Sequence, residues 1–148
     1  MDEEHSNPIR VLAVDDHPAF RQGIAVFVGS ESDMQVVGEG ANGREAVEQF
    51  RRHRPDITLM DLQMGAMSGI DAITAIRGEF PDVRIIVLTT YPGDVQAIRA
   101  FQAGACGYVL KGLLRKELLE TIRAVHAGER RIPPEIAARI AEDAAQDS

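Results

Sequence analysis

A doubly wound α/β fold, five parallel strands with helices on both faces, is what this sequence predicts. Three observations carry that expectation. Five short apolar runs recur along the chain, stretches with helical spacing separate them in alternation, and four of the runs end on a carboxylate, hydroxyl or ammonium group. Near-continuous Val, Ile and Leu suits parallel strands that are covered on both faces. Strict strand–helix alternation, with right-handed crossovers, puts the helices on both sides of one sheet.

The strands are expected at residues 10–14, 34–38, 56–60, 84–88 and 107–110. Pro18 suits the first turn of a helix, and Phe20, Ile24, Phe27 and Val28 supply its apolar stripe. Asn42 is a good N-cap with Glu45 at the capping-box position, and Ala46, Val47 and Phe50 then face inward. A helix over 69–80 buries Ile70, Ile73 and Ile76 and is stopped by Pro81. The helix over 93–103 is poorer in apolar residues, with Val95, Ile98 and Phe101. The helix over 114–127 is strongly amphipathic through Leu118, Ile122 and Val125, and Gly128 suits its C-cap. After Gly128 the character changes. Arg130-Arg131-Ile132-Pro133-Pro134 reads as a break, and a short helix over 135–145 follows, with Ile132, Ile136 and Ile140 on one face.

The alternation does not by itself settle the strand order. The flavodoxin-like order 2-1-3-4-5 is expected because it brings the first and third strand ends together at a topological switch point, where ligands bind. Asp15, Asp16 and Asp61 fall there.

At 148 residues, 45% of them hydrophobic, the chain has the material for one core. A net charge of −7 argues against a nucleic-acid surface, which needs clustered Lys and Arg. Cys106 is the single cysteine, so no disulfide framework and no Cys-based metal site can form, and a small buried hydrophobe is the expected reading. No signal peptide is visible behind the acidic N-terminus, and no apolar run reaches membrane-spanning length. A cytoplasmic protein without a membrane partner is expected.

The chemistry lies at the strand ends. Val11-Leu12-Ala13-Val14 runs into Asp15-Asp16, Ile57-Thr58-Leu59-Met60 into Asp61, Ile85-Ile86-Val87-Leu88 into Thr89, and Tyr108-Val109-Leu110 into Lys111. An isolated Asp pair is usually a solvated turn. Three carboxylates converging with one lysine sum to about −2, which raises their pKa values or recruits a cation. Oxygen donors of this kind favour Mg²⁺. A phosphoryl group on Asp61 would meet the cation on one side, Lys111 on another and the Thr89 hydroxyl on a third, the logic of phosphoryl transfer by positioning and charge neutralisation.

The motifs Val14-Asp15-Asp16-His17-Pro18, Leu59-Met60-Asp61-Leu62, Leu88-Thr89-Thr90 and Gly107-Tyr108-Val109-Leu110-Lys111 resemble those of response-regulator receiver domains of two-component signalling, over roughly residues 9 to 128. The resemblance implies that Asp61 is the phosphoacceptor, with a sensor histidine kinase as donor. It implies Mg²⁺ held by Asp16, by Asp15 directly or through water, by Asp61 and by the Gln63 carbonyl. Thr89 becomes the switch hydroxyl, Tyr108 the switch aromatic and Lys111 the phosphate partner. Asp16-His17-Pro18-Ala19-Phe20-Arg21 and Gly38-Glu39-Gly40-Ala41-Asn42-Gly43 further resemble the LuxR/NarL-type regulators, in which a helix-turn-helix domain follows the receiver. Residues 1–8 are then a tail, 9–128 the receiver and 129–148 a linker helix, with the DNA-binding effector absent and a homodimer expected on phosphorylation. Gly65 and Gly112 stand where the broad family often has Pro, which loosens two loops and removes no chemical group.

Two alternatives compete. A haloacid-dehalogenase-like phosphatase would carry Asp-x-Asp at its nucleophile and a cap insertion; here the nucleophile context is Asp61-Leu62-Gln63 and no insertion is long enough. A receiver that binds partners without phosphate would not need the acidic pair, Thr89 and Lys111. His17 reads as an exposed loop histidine beside the acidic pair.

Overall fold

The structure, a computed structural model, describes residues 7–64, 68–90, 95–112 and 115–147. Strands β1 (Ile9–Val14), β2 (Met34–Gly40), β3 (Ile57–Asp61), β4 (Ile85–Thr89) and β5 (Gly107–Leu110) alternate with helices α1 (Pro18–Gly29), α2 (Gly43–His53), α3 (Gly69–Glu79), α4 (Val95–Ala103) and α5 (Arg115–His126). Helix α6 (Pro134–Asp147) follows. All strand pairs are parallel and the order is β2-β1-β3-β4-β5, the expected one.

Successive strand residues point to opposite faces, and each face has its own core. Leu12, Val14, Met60, Ile85 and Val87 pack with α2, α3 and α4. Val11, Ala13, Leu59, Ile86 and Leu88 pack with Ile24 and Val28 of α1 and Leu118, Ile122 and Val125 of α5. Every residue of β3 and β4 is buried, whereas the edge strands β2 and β5 are only partly covered. That is why the central strands read as unbroken apolar runs.

The helix signals hold in detail. Pro18 opens α1. The Asn42 side chain accepts from the Glu45 N–H at 2.9 Å, and the Glu45 carboxylate reaches back to the Ala41 N–H at 2.8 Å. Ser68, which the sequence reading passed over, caps α3 by accepting from the Asp71 N–H at 3.1 Å. Gly128 closes α5 at φ +99°, a conformation that favours glycine.

Several expectations need correction. The strands for 56–60 and 84–88 begin one residue later and continue through Asp61 and Thr89, and β2 runs on to Gly40. Val95 is 58% exposed; the buried stripe of α4 is Ala97, Ile98, Ala100 and Phe101. Ile70 and Cys106 are half-buried at the margins of the two cores rather than inside them. Gly65, Gly93, Asp94 and Leu114, where a loop and two helix starts were expected, lie outside the described residues.

Candidate phosphoryl-acceptor site

The carboxyl ends of β1, β3, β4 and β5 lie side by side, because parallel pairing aligns Val14 with Met60, Asp61 with Leu88 and Thr89 with Leu110. Asp15 follows β1 directly and is fully buried. One of its oxygens, Oδ1, accepts from the His17 N–H at 2.8 Å, and Oδ2 pairs with Lys111 Nζ at 2.8 Å. Arg21 donates to the Asp15 carbonyl, holding the turn after β1 against α1. Asp61 closes β3 and is also fully buried. Its Oδ1 accepts from the Gln63 N–H at 3.0 Å and lies 3.4 Å from Lys111 Nζ. Its Oδ2 is buried and has no hydrogen-bond partner among the described residues.

Burial pushes the Asp61 carboxyl up to about 6; the neighbouring Asp15 charge pushes the same way, while the Gln63 N–H and Lys111 oppose it. Three carboxylates face one ammonium, and Asp15, Asp16, His17 and Asp61 each offer one ligand atom within 4.8 Å of the others. An unpaired oxygen on a buried carboxylate, in a cluster of excess negative charge, fits a hard divalent cation.

Of the expected site residues, Asp15, Asp16, Asp61 and Lys111 meet in this cluster. Gln63 is exposed, with its backbone N–H bound to Asp61. Thr89 is at the adjoining strand end and is 1% exposed. Tyr108 stands apart, half-buried on β5 and stacked on Phe101 of α4 at 6.3 Å between ring centroids.

Three further residues take part, two of them, Phe20 and Gly69, in roles that the sequence did not suggest. His17 is exposed as expected, yet its Nδ1 lies 3.0 Å from Asp16 Oδ1 and 3.2 Å from Asp15 Oδ1. Phe20, read as part of an apolar stripe, places its ring 4.6 Å from Lys111 Nζ, a cation–π contact. Gly69 begins α3 so close to the Asp61 carbonyl that a Cβ there would collide with it. Neither a place in an apolar stripe, for Phe20, nor a helix start, for Gly69, hints at these last two roles; both arise from chain crossings.

A five-stranded parallel sheet of this order, bearing a buried acidic cluster and one lysine at its carboxyl edge, defines a flavodoxin-like module built to hold a charged group at its switch point. A family profile described as the response regulator receiver domain matches residues 11–123, and the chain belongs to that family. Response regulator protein VraR of Staphylococcus aureus is 39% identical over 128 residues, which is 86% of this chain and 61% of that protein. The chain thus spans about three-fifths of the length of the curated relatives it matches. A two-component response regulator of the LuxR family from Aurantimonas sp. SI85-9A1 superposes with a TM-score of 0.83 at 38% identity, covering 94% of this chain and 99% of the other. The isolated receiver domain of RcsB from Salmonella enterica serovar Typhimurium, solved with the phosphomimetic BeF₃⁻, gives a TM-score of 0.77 at 26% identity, covering 90% and 99%. No helix among the described residues is long and apolar enough to cross a membrane.

Proposed function

We propose that the chain is a phosphorylation switch in which Asp61 accepts a phosphoryl group from a sensor histidine kinase. The observation that carries this is the buried Asp61 carboxylate, with one oxygen unpaired among the described residues, one fixed by the Gln63 N–H, and Lys111 within 3.4 Å. A carboxylate oxygen of Asp61 attacks phosphorus, the phosphorus–nitrogen bond of the donor phosphohistidine breaks with its electron pair passing to that nitrogen, and the imidazole, which carries its proton on the other ring nitrogen, leaves neutral. Lys111 sits to balance charge on the phosphoryl oxygens, and the Thr89 hydroxyl donates to one of them.

Asp15, Asp16 and Asp61, with the Gln63 carbonyl, would hold Mg²⁺, which when bound neutralises charge on the phosphoryl group. The same centre supports hydrolysis of its own acyl phosphate, so the chain's chemistry is self-directed rather than turnover of a diffusing substrate. Phosphorylation draws Thr89 inward, Tyr108 follows, and the surface of α4, β5 and α5 changes. Output is then protein contact, with a homodimer on phosphorylation and DNA reached only through a helix-turn-helix domain beyond residues 129–148. Residues 9–128 act as the receiver and residues 1–8 as a tail, and the setting is the cytoplasm.

Beryllofluoride with Mg²⁺ is expected to bind the native chain and to protect it thermally. Occupancy at ten times the dissociation constant adds about 1.4 kcal/mol. Asp16→Asn should need more Mg²⁺ for the same shift. Equal Mg²⁺ dependence in the two proteins would count against the cation site.

A further inference from the structure

The two edges of the sheet carry opposite charge. The carboxyl edge holds the acidic cluster, and the amino edge gathers arginines. Arg84 directly precedes β4 and Cys106 directly precedes β5, while Arg77 lies in the last turn of α3 and Gly104 just past the end of α4. With Asp82, and with Arg130 from the segment after α5, they line a cavity of about 700 Å³. That volume is in the range of small-molecule sites. Three arginines and a single carboxylate residue line it.

Each of the three arginines is anchored to the backbone. Arg77 Nη1 donates to the Ala103 carbonyl at 3.4 Å, Arg84 Nη1 to the His126 carbonyl at 2.6 Å and Arg130 Nη2 to the Ala105 carbonyl at 3.3 Å. Arg77 also lies across Gly104, whose φ is +123°; a Cβ there would collide with Arg77 Cδ. A guanidinium carries five N–H donors. One bond to a carbonyl orients the fork and leaves its other donors for a ligand.

Among the described residues no carboxylate forms an ion pair with Arg77, Arg84 or Arg130, although arginines elsewhere find such partners: Arg21 with Glu39, Arg51 with Glu79, and Arg123 with Glu31 and Asp33. In a chain of net charge −7, carboxylates are not scarce. Capping a helix-end carbonyl accounts for an arginine at each place taken singly. It does not call for three of them around one cavity.

We propose that this cavity binds a diphosphate-bearing anion, held by Arg77, Arg84 and Arg130 at the edge of the sheet opposite Asp61. Guanidinium forks match phosphate oxygens two at a time, which a point charge does not. Three forks offer more donors than one phosphate group needs, and two linked phosphates use them. The backbone anchors lower the ordering cost of binding, since the arginine side chains are already held. The acidic edge, where carboxylates outnumber the lysine, repels the same anion, so a single site is expected in metal-free buffer. The bound anion would tie together the ends of α3 and α4, the entry to β4 and the segment after α5. The proposal is independent of the phosphorylation reading of Asp61.

Pyrophosphate titrated into the metal-free chain at constant ionic strength, followed by heteronuclear NMR of the backbone amides and the arginine Nε–Hε groups, tests the site. Saturable shifts are expected at Arg77, Arg84 and Arg130, with Arg51 and Arg123 unmoved. Arg77→Gln and Arg130→Gln alter exposed side chains, so the fold should persist. Each should weaken pyrophosphate binding about 10-fold, the loss of one charge-assisted contact. Arg51→Gln should leave the affinity unchanged. ADP run beside pyrophosphate separates two sources of the same group: equal affinity supports a site for bare diphosphate, and tighter ADP supports a nucleotide site. Shifts that never saturate, that chloride reproduces at the same ionic strength, or that survive undiminished in both Arg77→Gln and Arg130→Gln would overturn the proposal.

Discussion

Asp61→Asn is expected to be more stable than the native chain by about 3 kcal/mol at pH 7.5 in metal-free buffer, while losing all phosphoryl acceptance. The sign follows from the direction of the shift. Burial raises the Asp61 carboxyl from 3.8 to about 6, so the native state holds the proton more tightly than the unfolded chain does. Between those values stability falls as pH rises, and above about 6 the full penalty of a buried charge is present. Asparagine carries no charge at any pH, and its amide oxygen can still accept from the Gln63 N–H. For a domain of this size the gain corresponds to a melting temperature higher by about 6–12 °C. Near pH 4 the difference should shrink below about 1 kcal/mol, and Mg²⁺ should narrow it at neutral pH by stabilising only the native carboxylate. Urea unfolding of the two proteins at pH 7.5 and pH 4, with and without chelator, measures all three. An Asn variant no more stable than the native chain at pH 7.5 would mean that Asp61 is not held as a buried charge.

Lys111→Ala should do the reverse. Read from sequence alone, Lys111 is a part-exposed strand-end residue with few core contacts, whose truncation would shift the melting temperature by only a few degrees. In the fold its side chain is 13% exposed and pairs with Asp15, which is 0% exposed. Removing the ammonium leaves Asp15 and Asp61 buried with no cation between them, a loss of about 3 kcal/mol in metal-free buffer. The melting temperature should fall by about 6–12 °C rather than by a few degrees. Mg²⁺ should restore much of the loss, since a divalent cation on the same carboxylates replaces the missing charge, but phosphoryl transfer should stay slow because nothing then faces the phosphoryl group from the β5 side. Thermal unfolding in chelator and in Mg²⁺ separates the two effects. A variant that melts with the native chain in chelator would show that Asp15 and Asp61 do not depend on Lys111.

The two expected results differ in sign for one reason, which is also why parts of the site were legible in the sequence and parts were not. Central parallel strands are buried on both faces, so β3 and β4 announce themselves as apolar runs and the polar residue ending each run marks the site. That Asp15, Asp61, Thr89 and Lys111 are neighbours followed from the strand-end positions together with the expected order 2-1-3-4-5. Their depth did not. Backbone pairing carries Asp61 and Thr89 into the strands proper, past the point where apolar character stops, and so buries groups that a linear reading leaves at the rim. Contacts between elements distant in sequence left no linear signal: the Phe20 ring by Lys111, and the α3 backbone against Asp61 that only Gly69 allows. Val95 faces outward because α4 buries two small residues, Ala97 and Ala100, beside Ile98 and Phe101, a stripe that large apolar residues alone do not mark. The isoleucine stripe of α6 was visible as a stripe, but its seat on α4 depends on how the chain turns after Gly128.

Whether Asp61 accepts the phosphoryl group is read most directly by treating the chain with acetyl phosphate and Mg²⁺, trapping the acyl phosphate with borohydride and locating the reduced residue by peptide mass mapping. A single reduced site at Asp61, absent from Asp61→Asn, is the expected result. Reduction at Asp15 or Asp16 instead, or undiminished label in Asp61→Asn, would contradict it.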